Sequence, residues 1–230
     1  MKFRAIHTFL LLSLFWVGCD QAGISPPPGV ANNTRVAPNV QGEWTGENEY
    51  KNEHFGIQLT IPEDWYFEKG MNEAAADMGA DILVGDDEAK RKTIAAAMKN
   101  TQTPFMAYRY PPGTPGKQNP NVICMIEKIA HLPGIKTPAD YLLILEQTLK
   151  STNVDVSFEG PPQTVQLEGL DFSQRIQSIN MGFGSIGQRT YARKEGDYIL
   201  LISVTFFSDE DETVIDELLN TISIIKQETP

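Results

Sequence analysis

Phe55, Ile57, Leu59 and Ile61 alternate with Gly56, Gln58 and Thr60, so every second side chain falls on one face and a strand with one buried side is predicted. Pro62 stops it, and after the Pro62-Glu63-Asp64 turn Trp65-Tyr66-Phe67 opens a second short strand. Phe105 to Tyr110 and Val122 to Ile129 read as two more, joined by the proline- and glycine-rich loop 111–120. The run from Val122 to Ile126 is apolar on both faces, which predicts a central strand covered from both sides. The strand pattern returns at Val154 to Phe158, Gln163 to Leu167, Leu170 to Ile179, Gln188 to Lys194 and Tyr198 to Phe207. Glu195-Gly196 marks a tight hairpin turn between the last two.

Three helices are spread among these strands. Asp86 or Asp87 can cap one that runs to about Asn100, rich in alanine and carrying Ile94 and Met98, while residues 71–85 show no single period. Thr137-Pro138-Ala139-Asp140 supplies a capping hydroxyl, a proline at the first helical position and an acid in the first turn, after which Leu142, Leu145 and Leu149 form an apolar stripe. Ser208-Asp209-Glu210-Asp211 caps a last helix whose apolar side is Val214, Ile215, Leu218, Leu219 and Ile222. Hairpin connections with interspersed helices predict an α/β (α+β) fold, a mostly antiparallel sheet flanked by helices. The doubly apolar strands call for cover on both faces, hence an α/β/α sandwich.

The first residues follow a different logic. Lys2 and Arg4 precede an apolar run from Phe9 to Val17 that ends at Gly18-Cys19, the build of a secretory signal. The run is shorter than the roughly 20 residues of a spanning helix, so removal of residues 1–18 is expected. Val17-Gly18-Cys19 resembles the bacterial lipoprotein box, with Trp16 where leucine is usual. The resemblance implies acylation of Cys19, by palmitate among other chains, and a mature protein held on the cell membrane or outer membrane without crossing it. Each buried methylene then contributes about 0.8 kcal/mol to attachment. Residues 19–46, with Ser25-Pro26-Pro27-Pro28-Gly29 and Asn32-Asn33-Thr34, read as the lipidated end and a flexible linker, and 47–230 as a single domain.

Charge and cysteine count narrow the field. Loss of Lys2 and Arg4 leaves 17 basic against 30 acidic residues, a net charge of −13 that repels nucleic acid. With Cys19 acylated, the second of the two cysteines, Cys124, has no mate, so no disulfide framework is expected and packing must stabilise the domain. At 41% hydrophobic residues the chain can build one core.

Tyr50, Phe55-Gly56-Ile57, Ile61-Pro62 and Trp65, then Gly169-Leu170, the long Tyr198 to Phe207 strand and the acid-capped closing helix, together resemble the PsbP-type α/β/α sandwich over most of 47–230. The resemblance implies a non-enzymatic module that binds a partner protein or helps assemble a complex.

Candidate chemistry is sparse. Gly182-Phe183-Gly184-Ser185-Ile186-Gly187 spells the dinucleotide fingerprint, but the motif works only between a strand and a helix, and Gln188 to Lys194 reads as a strand. Once His7 leaves with the signal, His54, expected to begin a strand, and His131, in the Ala130 to Pro133 turn, belong to no metal or nucleophile motif. The alternative function is therefore a hydrolase-type enzyme whose site near one of them is assembled only in space. Asp209 to Glu212 and Asp86-Asp87-Glu88 lack the spacing of a calcium loop and suit helix starts. No catalytic residue, cofactor or metal is assigned. The expected contacts are the membrane, through lipid on Cys19, and an unidentified envelope protein, with loop 111–120, carrying Gly113 and Lys117 and flanked by Tyr108 and Tyr110, as the candidate binding surface.

Overall fold

In a computed structural model, residues 37–70, 88, 100–152, 154–180 and 184–225 are described. Residues 1–36, including the signal and Cys19, lie outside them, as does nearly all of the helix expected over 86–100.

The strands are β1 (Glu43–Trp44), β2 (Glu49–Asn52), β3 (Ile57–Thr60), β4 (Tyr66–Lys69), β5 (Thr101–Tyr108) and β6 (Asn121–Lys128), followed by helix α1 (Pro138–Lys150). Then come β7 (Asp155–Phe158), β8 (Gln163–Leu167), β9 (Leu170–Asn180), β10 (Ser185–Glu195), β11 (Tyr198–Phe206), helix α2 (Asp209–Leu219) and β12 (Ser223–Ile224). The main sheet runs β4-β5-β6-β11-β10-β9-β7, with β8 beside β7 on the same side of β9, and every pairing is antiparallel. A small sheet, β1-β2-β3-β12, joins the two ends of the described chain.

The central place expected for the Val122 strand is where β6 lies, between β5 and β11, with Cys124 opposite Ile202 and Met125 opposite Leu201. Alternation sends Met106, Ile123, Met125, Ile199 and Leu201 to one face, where Tyr141, Leu142, Leu145 and Leu149 of α1 cover them. Phe105, Val122, Cys124, Leu200, Ile202 and Val204 go to the other, against Ile215, Leu218 and Leu219 of α2 and Tyr50, Ile57 and Leu59 of the small sheet. The α/β/α sandwich therefore holds, and the small sheet shares one outer layer with α2.

Both helix starts are set locally. The Thr137 hydroxyl accepts from Asp140 N–H (3.2 Å) while the Asp140 carboxylate accepts from Thr137 N–H (2.7 Å), a reciprocal capping box. These bonds hold the Asp140 carboxyl below its usual range. Ser208 caps α2 by accepting from Asp211 N–H (3.2 Å).

Three sequence expectations need correction. The domain begins before residue 47: Pro38–Val40 form a 3-10 turn, Val40 is buried, and Asn52 donates to the Val40 carbonyl (2.9 Å). Phe55 and His54 lie in the turn between β2 and β3, because Gly56 reverses the chain with a φ of 68°. The strand expected from Gln188 starts at Ser185.

Candidate functional site

Loop 111–120 leaves β5 at Tyr108 and re-enters β6 at Asn121, residues that face each other in register. The side chain of Asn119 closes its base: Oδ1 accepts from Tyr110 N–H (2.9 Å) and Nδ2 donates to the Tyr110 carbonyl (2.7 Å). It imitates one more rung of the ladder and is only 2% exposed. Arg109 N–H donates to the Pro120 carbonyl (3.0 Å), and Asn121 Nδ2 to the Asn119 carbonyl (3.1 Å). At the tip, Thr114 folds back on the Pro111 carbonyl through its hydroxyl (2.6 Å) and its N–H (3.2 Å). Arg109 ties the flank to Asp64 through that residue's carboxylate and its carbonyl (3.0 Å).

The four candidate residues separate. Gly113 and Lys117 are exposed, Tyr110 is half-buried, and Lys117 Nζ sits 5.1 Å from the Tyr110 ring centroid, a cation over an aromatic face. Tyr108 is core: it is 1% exposed, its hydroxyl points at Met106 Sδ (3.7 Å), and burial pushes the phenol up. Its place on β5 turns it toward the α1 side of the sheet, so it supports the loop from beneath and offers no contact surface.

Asn119→Ala leaves the N–H and carbonyl of Tyr110 without their partners. We expect a loss of about 1–3 kcal/mol in urea unfolding, with faster amide exchange confined to the loop.

The remaining candidates are occupied structurally. His54 Nε2 lies 3.3 Å from the Glu195 carbonyl oxygen, and the ring meets Phe55 and Tyr198 edge-on, pinning the small sheet to the β10–β11 hairpin. His131 is exposed on the turn after Ile129. Near that turn, a cleft of about 200 Å³ is lined by Ile129, Pro133, Ile135, Lys194 and Asp197. In α2, Asp211 also accepts from Phe207 N–H (3.0 Å), while Glu212 and Asp216 hold Arg189 of β10 at 3.5 and 2.5 Å. Among the described residues no group of three or more acids, histidines and cysteines is placed to hold a metal. Cys124 is buried, and desolvation pushes its thiol up, away from the reactive thiolate.

The described part of the glycine motif is no phosphate cradle. Gly187 sits on β10 opposite Phe206, and a Cβ there would lie 2.1 Å from the Phe206 ring. Ring packing requires this glycine. Gly187→Ala is expected to cost about 1–3 kcal/mol by overpacking, measured by thermal unfolding.

Sequence reasoning missed Glu127. It lies on β6 facing α1, 3% exposed, and its carboxylate accepts from the Tyr141 hydroxyl. The second oxygen has no partner among the described residues. Desolvation, against the opposing Tyr141 bond, pushes the carboxyl up to about 7. The available signal was a single acid inside the apolar run from Val122 to Ile129.

A sheet closed on both sides, carrying a clamped loop at one end, defines an antiparallel sandwich module. No family model matches the sequence, and no curated protein matches it. Among solved structures the chain is similar to cyanobacterial PsbP (CyanoP) from Synechocystis sp. PCC 6803, at 10% identity over 78% of this chain and 95% of that one, with a TM-score of 0.45. It is also similar to LpqN of Mycobacterium tuberculosis, described as involved in cell envelope biogenesis, at 17% identity over 73% of this chain and 82% of that one, with a TM-score of 0.40. Both likenesses bear on the course of the chain alone. Among the described residues no helix is long and apolar enough to cross a membrane.

Proposed function

We propose that this chain is a lipid-anchored protein of the cell envelope, attached through Cys19 once residues 1–18 are removed, whose sandwich domain binds another envelope protein without catalysis. The observation that carries the binding half is the Asn119 clamp, which closes the base of an exposed proline-rich loop. A loop fixed in advance loses little conformational freedom on contact, and that is what lets a small surface bind. Tyr110 at the base of that loop and Lys117 on it supply an aromatic face and a cation in a protein that is otherwise acidic. The anchoring half is supported by the Lys2 and Arg4 front, the apolar run and Gly18-Cys19.

Each half has its own test. Cys19→Ala should move the protein from the membrane pellet to the soluble fraction, and persistence in the pellet would remove the anchor. A photoreactive amino acid at position 117 should give, in intact cells, an adduct with one envelope protein that Asn119→Ala weakens. Absence of any adduct from positions 110, 113 and 117 would remove the loop as a contact surface.

A further inference from the structure

The outer side of β9 carries two short strands end to end, β7 against residues 177–180 and β8 against residues 170–174. Among the described residues nothing pairs with the far side of β8. Alternate N–H and carbonyl groups there have no strand partner among the described residues, a template for a further strand. Native edges are ordinarily guarded by charge, proline or a bulge. The opposite edge follows that rule, since β4 is four residues long and ends in Glu68 and Lys69. In β8 such guards stand only outside the strand, at Pro161-Pro162 and Glu168: Gln163-Thr164-Val165-Gln166-Leu167 itself has no charge and no proline, and it keeps an unbroken register from Gln163 opposite Gln174 to Leu167 opposite Leu170. A two-residue turn, Glu168-Gly169, with φ of 47° and 83°, fixes that register. Val165 and Leu167 pack against the core, while Gln163, Thr164 and Gln166 are exposed.

Charge selects the occupant. Glu159 precedes β8, Glu168 follows it, and the carboxylate of Asp171 accepts from Gln166 Nε2 (3.1 Å). The nearby Arg193 is engaged with the carbonyls of Phe55 (3.1 Å) and Asp171 (3.2 Å), and Arg175 with Glu146. A second copy added antiparallel about Val165 would set Glu168 of each chain opposite Pro162 of the other and would bring together two chains of net charge −11, like charge against like. We propose that the free edge of β8 accepts an extended, uncharged segment of another protein, flanked at both ends by lysine or arginine, as an added strand. Backbone hydrogen bonds would supply the affinity, and the acids at either end the choice of partner. This surface lies at the far end of the sheet from loop 111–120, so its test and the loop's are separate.

The probe is a synthetic peptide of alternating valine and threonine with paired lysines at each end, added to the full-length protein in detergent. Binding should slow amide exchange across 163–167 by roughly tenfold or more. The same peptide with glutamates in place of lysines, or N-methylated at alternate residues, should not protect it. Thr164→Lys and Gln166→Lys, both at exposed positions, should abolish the protection and leave thermal unfolding unchanged. The proposal is overturned if the glutamate peptide protects equally well, if protection appears only outside 163–167, if no peptide binds, or if the protein alone proves to be a dimer with this edge already protected.

Discussion

From about pH 4 to about pH 8 the unfolding free energy of the chain should fall by about 3 kcal/mol relative to that of Glu127→Gln. The reason is the buried carboxyl on β6. Unfolded, it titrates near 4.5; folded, burial raises it to about 7. Between those values the native chain holds one proton more than the unfolded chain, so raising the pH draws the equilibrium toward unfolding. The stabilisation is complete below the lower value and gone above the upper one. Glutamine keeps the shape and an acceptor for the Tyr141 hydroxyl but cannot ionise. Titrations elsewhere in the protein are common to both chains and cancel in the difference. Parallel pH curves from urea unfolding of the two proteins would show that Glu127 stays hydrated in the fold.

The second large effect is expected at Arg175, on β9 beneath α1. Its side chain is 5% exposed, lies 4.8 Å above the Phe158 ring, donates to the Glu159 carbonyl (3.2 Å) and pairs with Glu146 of α1. Glu146→Ala strands that guanidinium without its carboxylate and should cost about 3–5 kcal/mol, whereas the double variant Arg175→Met, Glu146→Leu should come close to the parent. The Lys150 bond to Glu146 (2.6 Å) adds little, because that lysine is 57% exposed. Although burial of Glu146 opposes it, the Lys150 hydrogen bond and the Arg175 charge hold its carboxyl below the usual range. A cost under about 1 kcal/mol for Glu146→Ala would mean the pair behaves as a surface ion pair.

What the sequence displayed was local. Period-2 alternation exposed β3, a run apolar on both faces exposed β6, and Thr137-Pro138 marked the start of α1 within one residue, because each signal lies inside the element it describes. Pairings between distant segments left no such mark. Two-residue β12 carries too few side chains for a period, yet it completes the small sheet. Val40 stands in a stretch without apolar periodicity, so composition placed it in the linker, and only its burial and the Asn52 bond to its carbonyl show that it belongs to the domain. Tyr108 was misjudged for a related reason: an aromatic next to a loop reads as exposed until the register turns it inward. The Asn119 clamp, at the heart of the candidate site, is equally silent, since an asparagine before a proline looks like ordinary turn composition.

The union of β3 with β12 also dictates an order of assembly. Thr221 donates to the Thr60 carbonyl (2.7 Å) across 161 residues, and Ile225 N–H reaches the Gly56 carbonyl (3.1 Å). Those contacts join segments far apart in sequence, so the small sheet stays incomplete until residues 221–225 reach it. Until residues 221–225 arrive, Ile57–Thr60 keeps one edge unpaired, so sealing that strand comes late in folding.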